Sequence, residues 1–455
     1  MPREMSPESS DLAGRIAPYR AGYLPADRRR IESRLASGDL LAVAATNALE
    51  LGIDVGQLAA TPLVGFPGTI ASMWQQAGRA GRGTRDSLTV LLAYTNPLDQ
   101  YFMRHPEALF QRPPEHVLVH PSNPHLLCAH LLCAAYEAPL TEHDQVLFGL
   151  GMEAVRDQLV SQSLLETRDS RWVYPWEGRP HDRVSLRRAD GSPFVLLDSS
   201  HNGRGLEELD ATSAFFRVHP GAIHLHQGRL HLISEMDIVH CPVWALPTDA
   251  TYYTEPIEDN QAQVIRSERS RTDLTAPVFL GRVRVTAQVT GYRRHEQFTG
   301  TVQGEESLEL PLQSYETQAL WFGLPGSLPR EIASQGLDLA GGIHAVEHAI
   351  IAMLPLYAMC DRNDIGGVST LVHPDTRAPQ VFVYDAHAGG VEIAEKGFEI
   401  LRDLWESTLR LVTECPCTEG CPSCIQSPKC ANNNDPLDKA ASIWILRRLL
   451  SDQGS

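Results

Sequence analysis

Two stretches of this 455-residue chain carry residue types at spacings suited to chemistry. The first is Trp74-Gln75-Gln76-Ala77-Gly78-Arg79-Ala80-Gly81-Arg82-Gly83, in which two arginines stand three apart, each behind a glycine. Residues three apart on a helix share a face, so the spacing predicts paired guanidinium groups on one side of a helix. Gly78 and Gly81 have no side chain and let another surface approach closely. Two planar, permanently charged forks suit the charge that builds on a transferring phosphoryl group. Two arginines taken alone read equally well as a solvated basic turn.

The second stretch is Cys415-Pro-Cys417-Thr-Glu-Gly-Cys421-Pro-Ser-Cys424, with Cys430 six residues later. Five of the nine cysteines crowd into it, which in a reducing compartment points to metal and not to disulfides. Zinc takes four thiolates tetrahedrally, so one cysteine is spare. One set uses Cys415, Cys417, Cys421 and Cys424; the other drops Cys415 and adds Cys430. No open coordination position is implied, so the zinc is expected to be structural, stapling a loop-rich segment with little core of its own. Cys128, Cys133, Cys241 and Cys360 lie in apolar surroundings and are expected to be small core residues.

Two weaker patterns stand beside these. His344-Ala345-Val346-Glu347-His348 matches His-x-x-Glu-His, in which two histidines one turn apart hold zinc and the glutamate acts as base of a protease. A polar helix face packed against a neighbouring domain is the plainer expectation. His224, His226 and His231 fall on a predicted hairpin, where facing strands produce such sets without any metal.

The elements that must position these residues follow from pattern. Pro25 to Ser37 reads as a helix closed by Gly38. Leu40 to Ala44, Leu63 to Phe66 and Ser87 to Ala93 read as buried parallel strands, separated by helices from Thr46 to Leu51 and from Thr69 onward. Residues 1 to about 18 read as a ragged start. Alternation of strand and helix predicts an α/β lobe with a parallel sheet over 1–112, whose ligands sit beyond the carboxyl ends of the strands. Residues 113–180 show three helices and a small hairpin, the pattern of a winged helix; Arg171 and Trp172 at its wing suit phosphate contact and base stacking, while Trp172 and Trp176 capping the domain core is the plainer expectation. Residues 181–330 read as β-rich, with Tyr292-Arg293-Arg294 as a basic, aromatic patch. Residues 331–455 form an α+β zinc-binding domain, with helices over 341–360 and 437–450.

Composition narrows the partners. The net charge of −17 argues against a general basic coat but leaves room for a local basic groove. Lysine occurs only at Lys396, Lys429 and Lys439, so arginine carries the cationic work and no phosphate-loop lysine precedes residue 396. No run of about 18 apolar residues or leader pattern is evident, which predicts a cytoplasmic protein without a membrane partner.

Gln75-x-x-Gly78-Arg79-x-Gly81-Arg82 resembles the last conserved motif of superfamily 2 helicases, and Ala45-Thr46-Asn47-Ala48-Leu49-Glu50-Leu51-Gly52-Ile53-Asp54 resembles the motif before it. With His219-Pro220-Gly221-Ala222, Leu225-His226-Gln227-Gly228, Asp364-Ile365-Gly366-Gly367, Tyr384-Asp385 and Gly420-Cys421-Pro422-Ser423-Cys424 through Ser427-Pro428-Lys429-Cys430, the chain is similar to the C-terminal two-thirds of the mitomycin-repair-factor type of that superfamily. The resemblance implies an ATP-dependent 3′-to-5′ DNA helicase or translocase acting in repair, including crosslink damage. It makes Arg79 and Arg82 arginine fingers reaching the ATP γ-phosphate, with Gln75 in the same motif. Thr46 would contact a nucleic-acid phosphate, and Asp54 would couple ATP to strand movement. Single-stranded or forked DNA is the expected partner. Gly-x-x-x-x-Gly-Lys-Ser/Thr is missing from the sequence, so ATP and Mg²⁺ are expected only where a first RecA-like lobe is supplied, within a longer enzyme or by a separate chain. A DNA-binding remnant without enzymatic activity is the second expectation, and a zinc protease using His344, Glu347 and His348 the third.

Overall fold

The computed structural model describes residues 12, 14–20, 25–50, 58–81, 86–184, 194–201, 203–209, 211–226, 228–430 and 432–451. Asp54 and Arg82 lie outside these residues.

The N-terminal α/β region has two parallel strand pairs. Ile16–Tyr19 pairs with Ala42–Ala45, and Ala60–Val64 pairs with Leu88–Leu92. The first strand lies in the stretch expected to be ragged, because Pro18 masks the pattern. The strands are less buried than their apolar runs predict: Val64 and Leu88 are both more than 60% exposed. A parallel sheet is normally covered on both faces; among the described residues only one face of this one is.

Helix Ile70–Ala77 begins as expected, with the Thr69 hydroxyl accepting from the Ser72 N–H at 3.0 Å. It buries Ile70 and Met73, but it ends at Gly78, before Arg79. Gly81 has φ +74, a left-handed conformation no helix can continue through, and a Cβ there would meet Ser87 Oγ at 2.4 Å. The expected pair of arginines on one helical face is therefore corrected: Arg79 stands in the turn after the helix.

The next region has helices Pro124–Glu137, Gln145–Phe148 and Met152–Ser161, then a hairpin of Glu166–Arg168 with Arg171–Val173. Asp169 and Ser170 make the two-residue turn with φ 49 and 61, as a tight hairpin requires. Beyond it lie a five-stranded mixed sheet built from Phe194–Asp198 to Pro242–Pro247 and a six-stranded antiparallel sheet. The second sheet is organised by two long strands, Tyr252–Arg271 and Val278–Glu296. Phe279, Trp321 and Phe382, on three neighbouring strands, stack with centroids 5.6 and 5.7 Å apart. Strands Ile365–Thr370 and Gln380–Asp385 join this same sheet, so a boundary at 330/331 would cut through it.

Helices Leu339–Met353, Leu401–Glu414 and Lys439–Leu450 pack behind the sheet. Segment Leu339–Leu356 is long and apolar enough to cross a membrane, yet 78% of it is buried inside the protein, where it serves as the core helix. Gly341 and Gly342 let the last helix approach it: a Cβ on Gly342 would meet Ala441 Cβ at 2.7 Å. One hydrophobic core runs from Ile70, Met73 and Phe102 of the N-terminal region to Ile343, Trp405 and Leu446. The N-terminal and C-terminal regions are thus packed on each other, and His105 Nε2 meets Glu414 Oε2 at 2.5 Å across that junction.

Candidate nucleic-acid and zinc sites

Thr46 is exposed at the carboxyl end of strand Ala42–Ala45, capping a single 3₁₀ turn over Asn47–Leu49. Glu50 follows and ties the two motif segments together. Its carboxylate accepts from Ser72 Oγ at 2.6 Å and Gln76 Nε2 at 3.2 Å, while its backbone carbonyl accepts from Arg79 Nη2. Ser72 Oγ also accepts from Gln76 Nε2 at 3.1 Å. Gln75 points outward and is exposed. Arg79 is therefore held by the preceding motif, and the residue doing the holding was missed from the sequence. Its signal was a second acid, besides Asp54, inside that motif.

At the wing, Arg171 is exposed and Trp172 is half-buried. Trp172 pairs with Leu140, packs on the module's core and carries the Arg156 guanidinium 4.1 Å over its ring. One ring face is thus already taken by a cation. Trp176 is 56% exposed with its indole N–H donated to Ser163 O.

The cysteines sort themselves. Cys415 follows helix Leu401–Glu414, and Cys421 to Cys424 form a turn in which Cys424 N–H donates to Cys421 O at 3.0 Å. The sulfurs of Cys415, Cys417, Cys421 and Cys424 lie within 4.8 Å of one another. Contacts of 3.5 Å (Cys415–Cys421), 3.5 Å (Cys417–Cys424) and 3.8 Å (Cys421–Cys424) compare with the ~3.8 Å edge of a tetrahedron of thiolates around zinc. These residues fit a structural zinc. Cys430 is not among them.

Lys439 is buried beside this cluster and donates Nζ to Cys415 O at 2.7 Å and Cys417 O at 2.6 Å, with Cys417 Sγ at 3.5 Å. It was also missed. A lysine in the first turn of a helix opposes the helix dipole, and in a chain with three lysines that placement was the available signal. Burial pushes the Cys415 thiol up, but the Cys417 N–H and neighbouring thiols outweigh it and bring the group to about 7.

On the His-x-x-Glu-His helix the histidines and the glutamate have different neighbours. His344 and His348 converge, but their third neighbour is Cys430. Glu347 is buried against Gly367, with hydrogen bonds from Ser369, and burial raises its carboxyl to about 7. Of the hairpin histidines, His224 and His226 gather around Glu207, at 3.1 and 3.8 Å, whereas His231 turns its Nδ1 to Arg229 O. Gly366 and Gly221 have steric reasons: a Cβ would meet the Tyr384 ring at 2.3 Å and Tyr292 OH at 2.3 Å respectively.

Known proteins match this arrangement region by region. Residues 346–425 match the family described as MrfA Zn-binding domain, and residues 119–189 match the ATP-dependent helicase HRQ1 winged helix domain. Residues 8–84 match the helicase conserved C-terminal domain. The chain belongs to the MrfA type of superfamily 2 helicase, over its C-terminal region with the zinc-binding domain. Its relatives include the uncharacterized ATP-dependent helicase YprA of Bacillus subtilis, 36% identical over 414 residues, covering 90% of this chain and 54% of that protein. ATP-dependent helicase HRQ1 of Saccharomyces cerevisiae is 32% identical over 463 residues, covering 97% of this chain and 42% of that protein. The crystal structure of DUF1998 helicase MrfA bound to DNA superposes with a TM-score of 0.57 at 34% identity, over 95% of this chain and 57% of that one. The chain spans about half the length of the curated relatives it matches. Those relatives carry the matching region within one longer chain, so a separate first-lobe chain has no support.

Proposed function

We propose that this region supplies the nucleotide-sensing arginines and the DNA-gripping surfaces of an ATP-dependent 3′-to-5′ DNA helicase or translocase that acts in DNA repair. The observation that carries the reading is the Glu50 link, which makes the segment from Thr46 to Glu50 and the turn bearing Arg79 one unit. A change at the nucleotide would reach the DNA-facing Thr46 through that unit. In this reading Arg79 and Arg82 face the γ-phosphate of ATP bound to a lobe that carries a phosphate loop, Gln75 assists them, and Asp54 joins the coupling. Arg171 at the wing binds the DNA backbone. The zinc held by Cys415, Cys417, Cys421 and Cys424 is structural, and supplies the fixed geometry of the 415–424 loop. That loop in turn touches the N-terminal region, where Ser423 Oγ donates to Thr95 O at 3.2 Å.

The test is hydrolysis and binding by the purified 455-residue chain. The expected result is salt-dependent binding of single-stranded or forked DNA with no ATP turnover, and DNA-stimulated turnover only when a phosphate-loop lobe is joined to it. DNA-stimulated turnover by this chain alone, abolished by Arg82→Ala, would overturn the half-site reading. Equal affinity for DNA at low and high salt would overturn the DNA-binding role.

A further inference from the structure

We propose that His344, His348 and Cys430 form a second metal site, distinct from the four-cysteine cluster, which takes a borderline divalent ion such as Zn²⁺ through two imidazole nitrogens and one thiolate. The two histidines lie one turn apart on helix Leu339–Met353, with ring centroids 4.3 Å apart and planes at 61°. Each has its Nδ1 fixed by a backbone carbonyl: His344 donates to Pro436 O at 2.9 Å, and His348 to Ile425 O at 2.9 Å. That pins the tautomer and leaves both Nε2 lone pairs for coordination, the outer-shell arrangement that orients ligating histidines. His344 Nε2 stands 3.3 Å from Cys430 Sγ, close to the ~3.6 Å separating a nitrogen and a sulfur on one tetrahedral zinc.

The sulfur side is equally prepared. The Asn434 N–H donates to Cys430 Sγ at 3.2 Å and fixes where the sulfur stands. The Asn434 side chain closes the loop by accepting from Ser427 N at 2.7 Å and donating to Ser427 O at 3.0 Å. Loading releases one proton, from the Cys430 thiol to solvent, because both histidines ligate as neutral imidazoles. The site staples the loop carrying Cys430 and Pro436 to the core helix, while the four-cysteine cluster holds the other end of the same segment. Three protein ligands leave a fourth position for water.

Cobalt(II) titration of the chelator-stripped, reduced 455-residue chain tests this. The expected result is two equivalents per chain, one with the strong charge-transfer absorption of four thiolates and one with weaker charge transfer from a single thiolate. Cys430→Ser and, separately, His348→Gln should each bind one equivalent and keep the four-thiolate spectrum. One equivalent in the unmutated chain overturns the proposal, and so do two equivalents in Cys430→Ser. Loss of the four-thiolate spectrum in a folded Cys430→Ser chain would also overturn it, by putting Cys430 in the first site. Alkylation read by mass spectrometry needs no variant. Saturating Zn²⁺ should slow labelling of Cys430 by at least about tenfold, and an unchanged rate counts against the site.

Discussion

Lys439 offers the sharpest test of how the four-cysteine cluster is held. Its ammonium is buried, bonded to the carbonyls of Cys415 and Cys417 and 3.5 Å from Cys417 Sγ. Four thiolates on one zinc leave a net charge of about −2, and Lys439 is the buried cation against it. At an effective dielectric of about 20, unit charges ~4 Å apart interact by ~4 kcal/mol, and hydrogen bonds to charged groups contribute ~1.5–3 kcal/mol each. The cost of desolvating the ammonium offsets part of both. Lys439→Met should therefore weaken zinc binding by about 3 kcal/mol, or roughly 150-fold in dissociation constant. Lys439→Gln, which keeps donors but not charge, should fall between. The assay is competition for zinc with a chromogenic chelator at fixed pH, followed by thermal unfolding read through tryptophan fluorescence. A Lys439→Met dissociation constant within about twofold of the parent, with the same melting profile, would refute the counter-charge argument.

Other outcomes follow from the same geometry. Cys421→Ser should abolish zinc at the four-cysteine site and loosen the C-terminal region while sparing the N-terminal one; unchanged zinc content and melting would contradict the ligand set. Glu50→Ala removes the acceptor for Ser72 and Gln76, and should cost ~1–3 kcal/mol of local stability, read as lost hydrogen-exchange protection over Ile70–Ala77. Arg171→Ala should reduce the slope of log affinity against log salt by about one unit, whereas Trp172→Ala should lower the melting temperature of the winged module, since its ring packs on that core. Asp385 accepts N–H bonds from Val391 and Ala394 at 2.6 and 2.7 Å, but burial prevails and raises its carboxyl to about 6. The folded chain then holds this proton more tightly than the unfolded one. Its contribution is present below about pH 4 and is lost as pH rises toward 6, by up to ~3 kcal/mol. Asp385→Asn should remove that slope from the pH dependence of unfolding, and an identical slope in both proteins would sink the assignment.

Local patterns were enough for much of the architecture. The winged module and its small hairpin follow from period and turn chemistry, which act over a few residues. Cysteine spacing alone announced a metal, because thiolates this near in sequence can converge whatever surrounds them. What spacing could not do was choose four from five, since Cys430 is drawn away by His344, 86 residues earlier. The arginine motif was legible by type but misplaced by period: Gly81 adopts φ +74 against Ser87, a condition set by the neighbouring strand and invisible in a helical count. Glu50 and Lys439 acquire their roles only from partners that folding brings to them, across 22 residues in one case and 24 in the other. The same holds for the union of the β-rich and zinc-binding regions into one sheet. Strand pairing is settled by register and burial across the whole molecule, while the sequence by itself determines which short segments are fit to pair.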